Sequence, residues 1–338
     1  MNIVYSSSDY YAQPTGISIY SLLVSNKHVK DINIYILDNG ISDDSKFRLN
    51  SIVKSFDKTI RYIDVKNDFA KFSKEMNLTL MRGSHSTYAR VFLNTWFPKL
   101  DRILLIDSDT LVLGDIEPLW NEDMSKNAIG AVPDIAMYSK YSNFEDNDLI
   151  NELEIYYNMG IVLCNLDFWR KNDLSYVISQ KIMQYDRSFK IADQSILNYA
   201  IPEYIKRIHL KYNYYSAVHG VNYKALRKVF SEKLIFSEHE FIEAKEDPVI
   251  VHLVGHSFER PWYKKSTSIF KSTYLKYRRE TIWGKTSLLK NKKQKNLIIK
   301  SYDYLIYLLL KLHLFNFTLK VRYLIVQKIK NSINIKRK

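Results

Sequence analysis

The stretch "DRILLIDSDTLVLGDIEPLW", residues 101–120, decides the fold. Ile103 to Ile106 is continuously apolar, the pattern of a strand covered on both faces in a parallel or mixed sheet; a half-exposed strand would alternate. Two carboxylates, Asp107 and Asp109, follow one residue apart. Open α/β sheets bind ligands beyond the carboxyl ends of their strands, so the acidic pair stands where a ligand would.

Outward from that run, strands and helices alternate. "NIVYSS" reads as a short strand, and "TGISIYSLLVSN" has helical spacing of Ile17, Tyr20, Leu23 and Val24. "INIYIL" is a second strand, Ser42 is placed to cap a helix over "DDSKFRLNSIVKSF", and "TIRYIDV" is a third strand. This alternation predicts an α/β sandwich whose first half can hold a nucleotide. Beyond the acidic pair come "AIGAVPD", "YYNMGIVLCNLDFWR", a helix to about Tyr185, "ADQSILNYA" and a late strand in "PVIVHLVG".

With 338 residues, 46% of them hydrophobic, the chain can bury a sizeable core in one large domain, with or without an appendage. Its one cysteine, Cys164 in "GIVLCNL", excludes an internal disulfide and a cysteine-based zinc site, and reads as a buried small hydrophobe. The start "MNIVYSSSDYY" lacks a basic region followed by an apolar core, and no stretch reaches the ~20 apolar residues of a membrane span. The expectation is a cytoplasmic protein.

The net charge of +14 is unevenly placed. Residues 285–338 hold fourteen Lys or Arg against the single Asp303, which leaves residues 1–284 with a net charge of only +1. The composition therefore divides into a nearly neutral body, 1–284, and a basic tail, 285–338.

The body has neither a GxGxxG nor a GxxxxGK[ST] loop, so dinucleotide-binding dehydrogenases and P-loop NTPases lose their main signature. A diphosphate held without such a loop needs another source of positive charge. Asp107 and Asp109 could share a hard divalent cation across a tight turn, leaving Ser108 to offer its backbone or hydroxyl to a sugar. A solvated turn also looks like this, and the residues alone leave both readings open.

Seven blocks, in order, carry a resemblance: "IVYSSSDYYA", "STYARVFL", "DRILLIDSDTLVLGDIEPLW", "AVPD", "YYNMGIVLCNLDFWR", "DQSILN" and "VHLVGHSFERPWY". From about Asn2 to Trp262 the sequence resembles glycosyltransferase family 8, the retaining group that includes bacterial lipopolysaccharide galactosyl- and glucosyltransferases and glycogenin. The resemblance implies a GT-A fold, a divalent metal (Mn²⁺ or Mg²⁺) and a UDP-sugar donor. It makes Asp107 and Asp109 metal ligands with His252 completing the set, a mixture of oxygen and nitrogen donors that suits Mn²⁺. Tyr11 matches the ring that covers uracil, with Ser8 nearby where relatives often carry an acid. Arg90 matches an arginine near the donor sugar and diphosphate. Asp134, Asn158, Asp193 and Gln194 match positions around the transferred sugar, Gln194 on the β face of the reacting carbon. Gly160 would let backbone approach the ligand closely.

One block departs from the family. Relatives have HxxGxxKPW, whereas "HLVGHSFERPW" keeps Gly255 but is two residues longer and places Arg260 before Pro261 and Trp262. Arg260 then takes the β-phosphate contact, with His256 as a competitor. The implied activity is transfer of glucose or galactose with retention, by same-face attack or through a covalent intermediate. Asp193 and Gln194 orient the sugar, and the acceptor is a glycan, a lipid-linked sugar or a glycoprotein. Two other classes compete. A nucleotidyltransferase would need a Gly-rich basic loop that "SSSDYYAQPTG" is not, and a non-catalytic nucleic-acid or membrane-binding protein would leave the seven blocks without purpose.

In the tail, Lys300, Lys311 and Arg322 recur every eleven residues, about three helical turns. One continuous helix would carry them as a basic stripe beside wide apolar faces, suited to an anionic membrane surface and not to nucleic acid. The expected location is peripheral, on the inner face of the cell membrane. The alternative is that residues 297–327 fold back on the body.

Overall fold

The run 103–106 lies in the middle of the main sheet in the computed structural model, which describes residues 1–68, 71, 90–137, 152–184, 192–230, 235–255, 258–291 and 297–322. The chain forms β1 (Asn2–Ser7), α1 (Ala12–Ser25), β2 (Asn33–Asp38), α2 (Asp43–Lys54) and β3 (Ile60–Asp64), then β4 (Arg102–Ile106) and β5 (Thr110–Val112) around the acidic turn. β6 (Ile129–Pro133), β7 (Tyr157–Asn165), α3 (Leu174–Gln184), α4 (Ala192–Ala200), β8 (Ile205–Arg207), β9 (Tyr214–Tyr215) and β10 (Ile250–His252) follow. α5 (Lys271–Arg279) and α6 (Leu297–Lys311) lie beyond them.

Seven strands make one mixed sheet in the order β3-β2-β1-β4-β7-β6-β8. β1, β2, β3 and β4 run parallel, while β7 is antiparallel to both β4 and β6. The unbroken apolar character of β4 has its reason here. Leu104 and Ile106 enter one core with Ile17 and Leu22 of α1 and Leu49 and Ile52 of α2, and Ile103 and Leu105 enter the other with Ile178 of α3 and Ile196 of α4. Each such side chain, fully buried, contributes roughly 1.5–3 kcal/mol, so a polar residue at any of them would be costly. Ser42 caps α2 as its position suggests, accepting from Ser45 N at 3.3 Å, and Asp43 and Asp44 occupy the first turn where the helix dipole favours them.

A second, three-stranded sheet, β5-β10-β9, sits beside the carboxyl ends of β1 and β4. β10 pairs antiparallel with β5, setting His252 opposite Thr110, and parallel with β9, setting His252 opposite Tyr215. Register thus brings His252, separated from the acidic pair by more than 140 residues of sequence, to the acidic turn.

The tail departs from the single helix that its charge spacing suggests. α6 stops at Lys311, His313 takes a left-handed φ of 58°, and a second helical stretch covers 315–322. Hydrogen bonds from Leu314 N to Leu309 O and from His313 N to Leu310 O, both 3.0 Å, close the helix end as a Schellman motif with histidine in the position glycine usually takes. Lys300 and Lys311 remain exposed, but Arg322 turns to Glu259, so the three do not form one stripe. Ile306 and Leu310 pack on Phe258 of the body, and Phe315 lies so close to Gly220 that a Cβ there would be 2.2 Å from its ring. No helix among the described residues is long and apolar enough to cross a membrane.

Candidate active site

The turn between β4 and β5 is tied on both sides. Asp107 N donates to Gly160 O of β7, and Asp109 O accepts from Leu253 N just past β10, both at 2.8 Å. His252 Nε2 consequently lies 3.3 Å from Asp109 Oδ1 and 3.8 Å from Asp107 Oδ2. One ligand atom from each of the three residues lies within 4.8 Å of the others.

The tautomer of His252 follows from its surroundings. Gly160 N–H, a fixed donor, gives to Asn158 Oδ1 at 2.8 Å, and Asn213 Nδ2 gives to the same oxygen at 2.7 Å. That orients Asn213 with its oxygen 3.0 Å from His252 Nδ1. An amide oxygen only accepts, so Nδ1 carries hydrogen and Nε2 faces the carboxylates. Gly160 makes room for this ring: a Cβ there would sit 2.4 Å from His252 Cε1. The group that approaches Gly160 closely is therefore His252, where the sequence suggests a ligand.

Arg90 spans two acids. Its Nη1 and backbone N donate to Asp193 Oδ2 at 3.0 and 3.2 Å, and its Nη2 donates to Asp107 Oδ1. Burial pushes the Asp107 carboxyl above its ordinary value against the pull of Arg90 and His252, and burial likewise raises Asp193 against Arg90. Asp109 behaves oppositely: burial works against its ionisation, but His252 and Arg260 hold it down to about 2. For His252, burial opposes the charged ring and is outweighed by Asp109 and then Asp107, so its value is raised. The charged form is thus favoured at Asp109 and His252 and disfavoured at Asp107 and Asp193.

Asp134, just past β6, and Gln194, in the first turn of α4, form the floor beside this cluster. Asp134 Oδ2 accepts from Asn158 Nδ2 and Gln194 Nε2, both at 2.9 Å, and Oδ1 accepts from Ala136 N at 2.9 Å and Tyr215 Oη at 3.0 Å. Gln194 Oε1 accepts from Met159 N and Asn158 Nδ2, each at 3.1 Å. A network this fully satisfied is rigid, because any rotation would leave a buried polar atom unpaired.

On the opposite side, Arg260 Nη1 donates to Tyr11 Oη at 3.0 Å, its Nε to Gly255 O at 3.1 Å, and its Nη2 lies 3.5 Å from Asp109 Oδ2. Gly255 has φ 123°, a conformation open to glycine and strained for other residues. Ser8 leads into the short turn Asp9–Tyr11 and is partly exposed. Of the two groups Ser108 could offer a sugar, the hydroxyl points inward, 3.0 Å from Ser6 O and 2.8 Å from Thr15 Oγ1, which leaves the backbone. His256 lies outside the described residues.

The structure thus gathers Asp107, Asp109, His252, Arg90, Asp134, Asn158, Gly160, Asp193 and Gln194, and joins Tyr11 and Arg260 to them through Asp109. The sequence reading missed Asn213 and Tyr215. Their signal is faint, a single amide among aromatics in "KYNYYSA", whose meaning depends on the pairing of β9 with β10.

A mixed sheet with an acidic turn at the carboxyl end of a central strand, completed by a histidine from a smaller sheet, defines a GT-A glycosyltransferase. The chain belongs to glycosyl transferase family 8, whose sequence model matches residues 2–266. General stress protein A of Bacillus subtilis is 25% identical over 291 residues, covering 84% of this chain and 95% of its own length. The lipopolysaccharide 1,2-glucosyltransferase of Escherichia coli is 22% identical over 269 residues, covering 78% and 73% respectively. Three other relatives, glycosyltransferases of Streptococcus pneumoniae, are longer, and this chain spans 60–67% of them. Among solved structures, the galactosyltransferase LgtC in complex with donor and acceptor sugar analogs superposes with a TM-score of 0.67 at 24% identity, covering 83% of this chain and 96% of that one.

Proposed function

We propose that this glycosyltransferase moves glucose or galactose from a UDP-sugar to an envelope glycan or lipid-linked acceptor, with retention, forming an α linkage, and that it requires Mn²⁺ or Mg²⁺. The observation that carries the reading is the meeting of Asp107, Asp109 and His252 Nε2, flanked by Arg90 and Arg260. The donor set fits a divalent cation: two carboxylates and a neutral-capable imidazole whose other nitrogen is already held by Asn213. Bound there, the cation would supply Lewis acidity to the diphosphate.

The chain's own residues divide the remaining work. Tyr11 offers its ring to uracil. Arg260 exchanges Asp109 for the β-phosphate and stabilises negative charge as the bond to the sugar breaks. Arg90 fixes Asp107 and Asp193 in place. Gln194 has its carbonyl committed to Met159 and Asn158, and Asp193 is committed to Arg90. Neither is poised as a nucleophile, which supports same-face attack: the acceptor hydroxyl bonds to the anomeric carbon and the departing phosphate takes its proton, while Asp193 and Gln194 ease positive charge on the sugar.

A membrane surface as the place of action draws support from the outer side of the tail, where Tyr304, Leu305, Leu312, Leu314 and Phe317 are exposed among Lys300, Lys311 and Lys320. The deciding experiment is a donor screen by released UDP, with and without EDTA. UDP-glucose or UDP-galactose should turn over only with the cation, and Asp109→Asn should abolish turnover with an unchanged circular dichroism spectrum. Turnover that survives both chelation and the substitution would refute the metal-dependent reading.

A further inference from the structure

The two residues that precede the active-site Arg260 are gripped by the C-terminal extension. Phe258 is buried against Ile306 and Leu310 of α6, with its ring 6.4 Å from Tyr307 at 81°. Glu259 is 6% exposed, and its Oε2 lies 2.7 Å from Arg322 Nη2 in the last described turn of the chain, an ion contact whose N–H is not aligned into a hydrogen bond. The same carboxylate fills the space beside Gly255, where a Cβ would be 2.7 Å from Oε2, and Gly255 O receives Arg260 Nε. Phe258 O is held in turn by Thr267 N at 2.6 Å and Thr267 Oγ1 at 2.9 Å.

The extension has a second hold on the body. Phe315 seats on Gly220, and Asn316 Oδ1 accepts from Asn222 N at 3.0 Å, beside the Asn222 side chain that caps the next helix through Ala225 N at 2.8 Å. Anchored at 220–222, the extension presents α6 and Arg322 to Phe258 and Glu259 as a fixed surface. Arg260, next in the chain, has few ways to move, and its guanidinium is spread over Tyr11, Gly255 and Asp109, with Trp262 beneath at 5.5 Å.

We propose that the C-terminal extension is a positioning part of the active site: through Phe258 and Glu259 it holds Arg260 between Tyr11 and Asp109, where the diphosphate of the donor is to be met. Phe258, Glu259 and Arg322 are positioning residues acting through Arg260. A division by charge into body and tail conceals this, because the contacts that join them among the described residues are mostly aromatic and apolar, with Arg322 and Glu259 as an ion pair. The inference rests on the donor reading above for its ligand, and on the contacts alone for its mechanics.

The test uses the full chain. Arg322→Met should weaken UDP binding, measured by calorimetry with Mn²⁺, by about fivefold, while Arg322→Lys restores most of it and the outward-facing Phe317→Ala leaves it unchanged. In steady state the loss should fall on KM for the donor more than on kcat. Hydrogen exchange without any ligand should show faster exchange at residues 258–262 in Arg322→Met, beyond the change at 315–322 themselves. Unchanged exchange at 258–262, in both Arg322→Met and Phe258→Ala, would overturn the mechanical link. Faster exchange with unaltered UDP affinity would overturn its bearing on the donor. Wild-type protein that binds no UDP would instead refute the donor reading, with the exchange data still deciding the link.

Discussion

Asn213 carries a role out of proportion to its chemistry. It is 1% exposed and neutral, yet it fixes which nitrogen of that ring faces the two carboxylates. Removing it should free the imidazole to rotate or change tautomer, so Asn213→Ala should weaken Mn²⁺ binding by roughly 10-fold or more. Calorimetry without donor measures this, and equal affinity in the two proteins would show that Asn213 does not position the ring. Cys164 gives a second residue-level prediction. Burial pushes its thiol up to about 12, so it should not react with Ellman's reagent at pH 8 until the protein unfolds. Its folded value lies above the unfolded one near 8.5, so this contribution to stability is intact below about pH 8.5 and is lost as pH rises toward 12. Prompt labelling of native protein would contradict the burial. Residues of these two kinds differ in legibility. Cys164 is readable because a buried apolar run surrounds it, whereas Asn213 is not, because its partners arrive from β7 and β10 and leave no local spacing.

At the scale of elements, the central strands were readable for the same reason that makes them stable. Full burial on two faces writes an unbroken apolar run, and Ser42 marks the start of α2 because caps are local chemistry. Gly160 reads in the sequence as a place where backbone meets a ligand, and only the placement of β10 reveals that the His252 ring packs there. The end of α6 went unread because histidine carries no helix-stop signal. His313 holds a left-handed backbone that costs a residue with a side chain about 1 kcal/mol. His313→Gly should therefore stabilise the full chain by up to about 1 kcal/mol, offset in part by the greater freedom of glycine when unfolded. Chemical denaturation measures it, and a destabilised protein would mean that the His313 side chain itself contributes there. Gly220→Ala should do the reverse, since its methyl group would collide with the Phe315 ring and lift 315–322 from the body.

The whole molecule has a tail with two faces, and they ask for different experiments. Ile306, Leu309 and Leu310 are buried, whereas Tyr304, Leu305, Leu312, Leu314 and Phe317 are exposed, with Leu312 the most exposed of these at 66%. Cutting the tail off would remove both faces at once. It would bare Phe258 and Gly220, so a truncated protein that failed on vesicles and on UDP would say nothing about lipid. Charge reversal on the outer face alone separates the two. Each large apolar side chain buried in the headgroup layer contributes up to roughly 1.5–3 kcal/mol, and each nearby lysine about 1 kcal/mol on an anionic surface. Leu312→Glu combined with Phe317→Glu removes two apolar contacts and adds two repelled charges, so partition onto phosphatidylglycerol vesicles should fall at least 10-fold while UDP affinity stays at the wild-type value. Wild-type binding should weaken as salt is raised, because the lysine contribution is screened. If the doubly substituted protein floats with vesicles as well as the wild type does, the exposed face is not the contact, and the surface that brings the enzyme to its acceptor lies elsewhere.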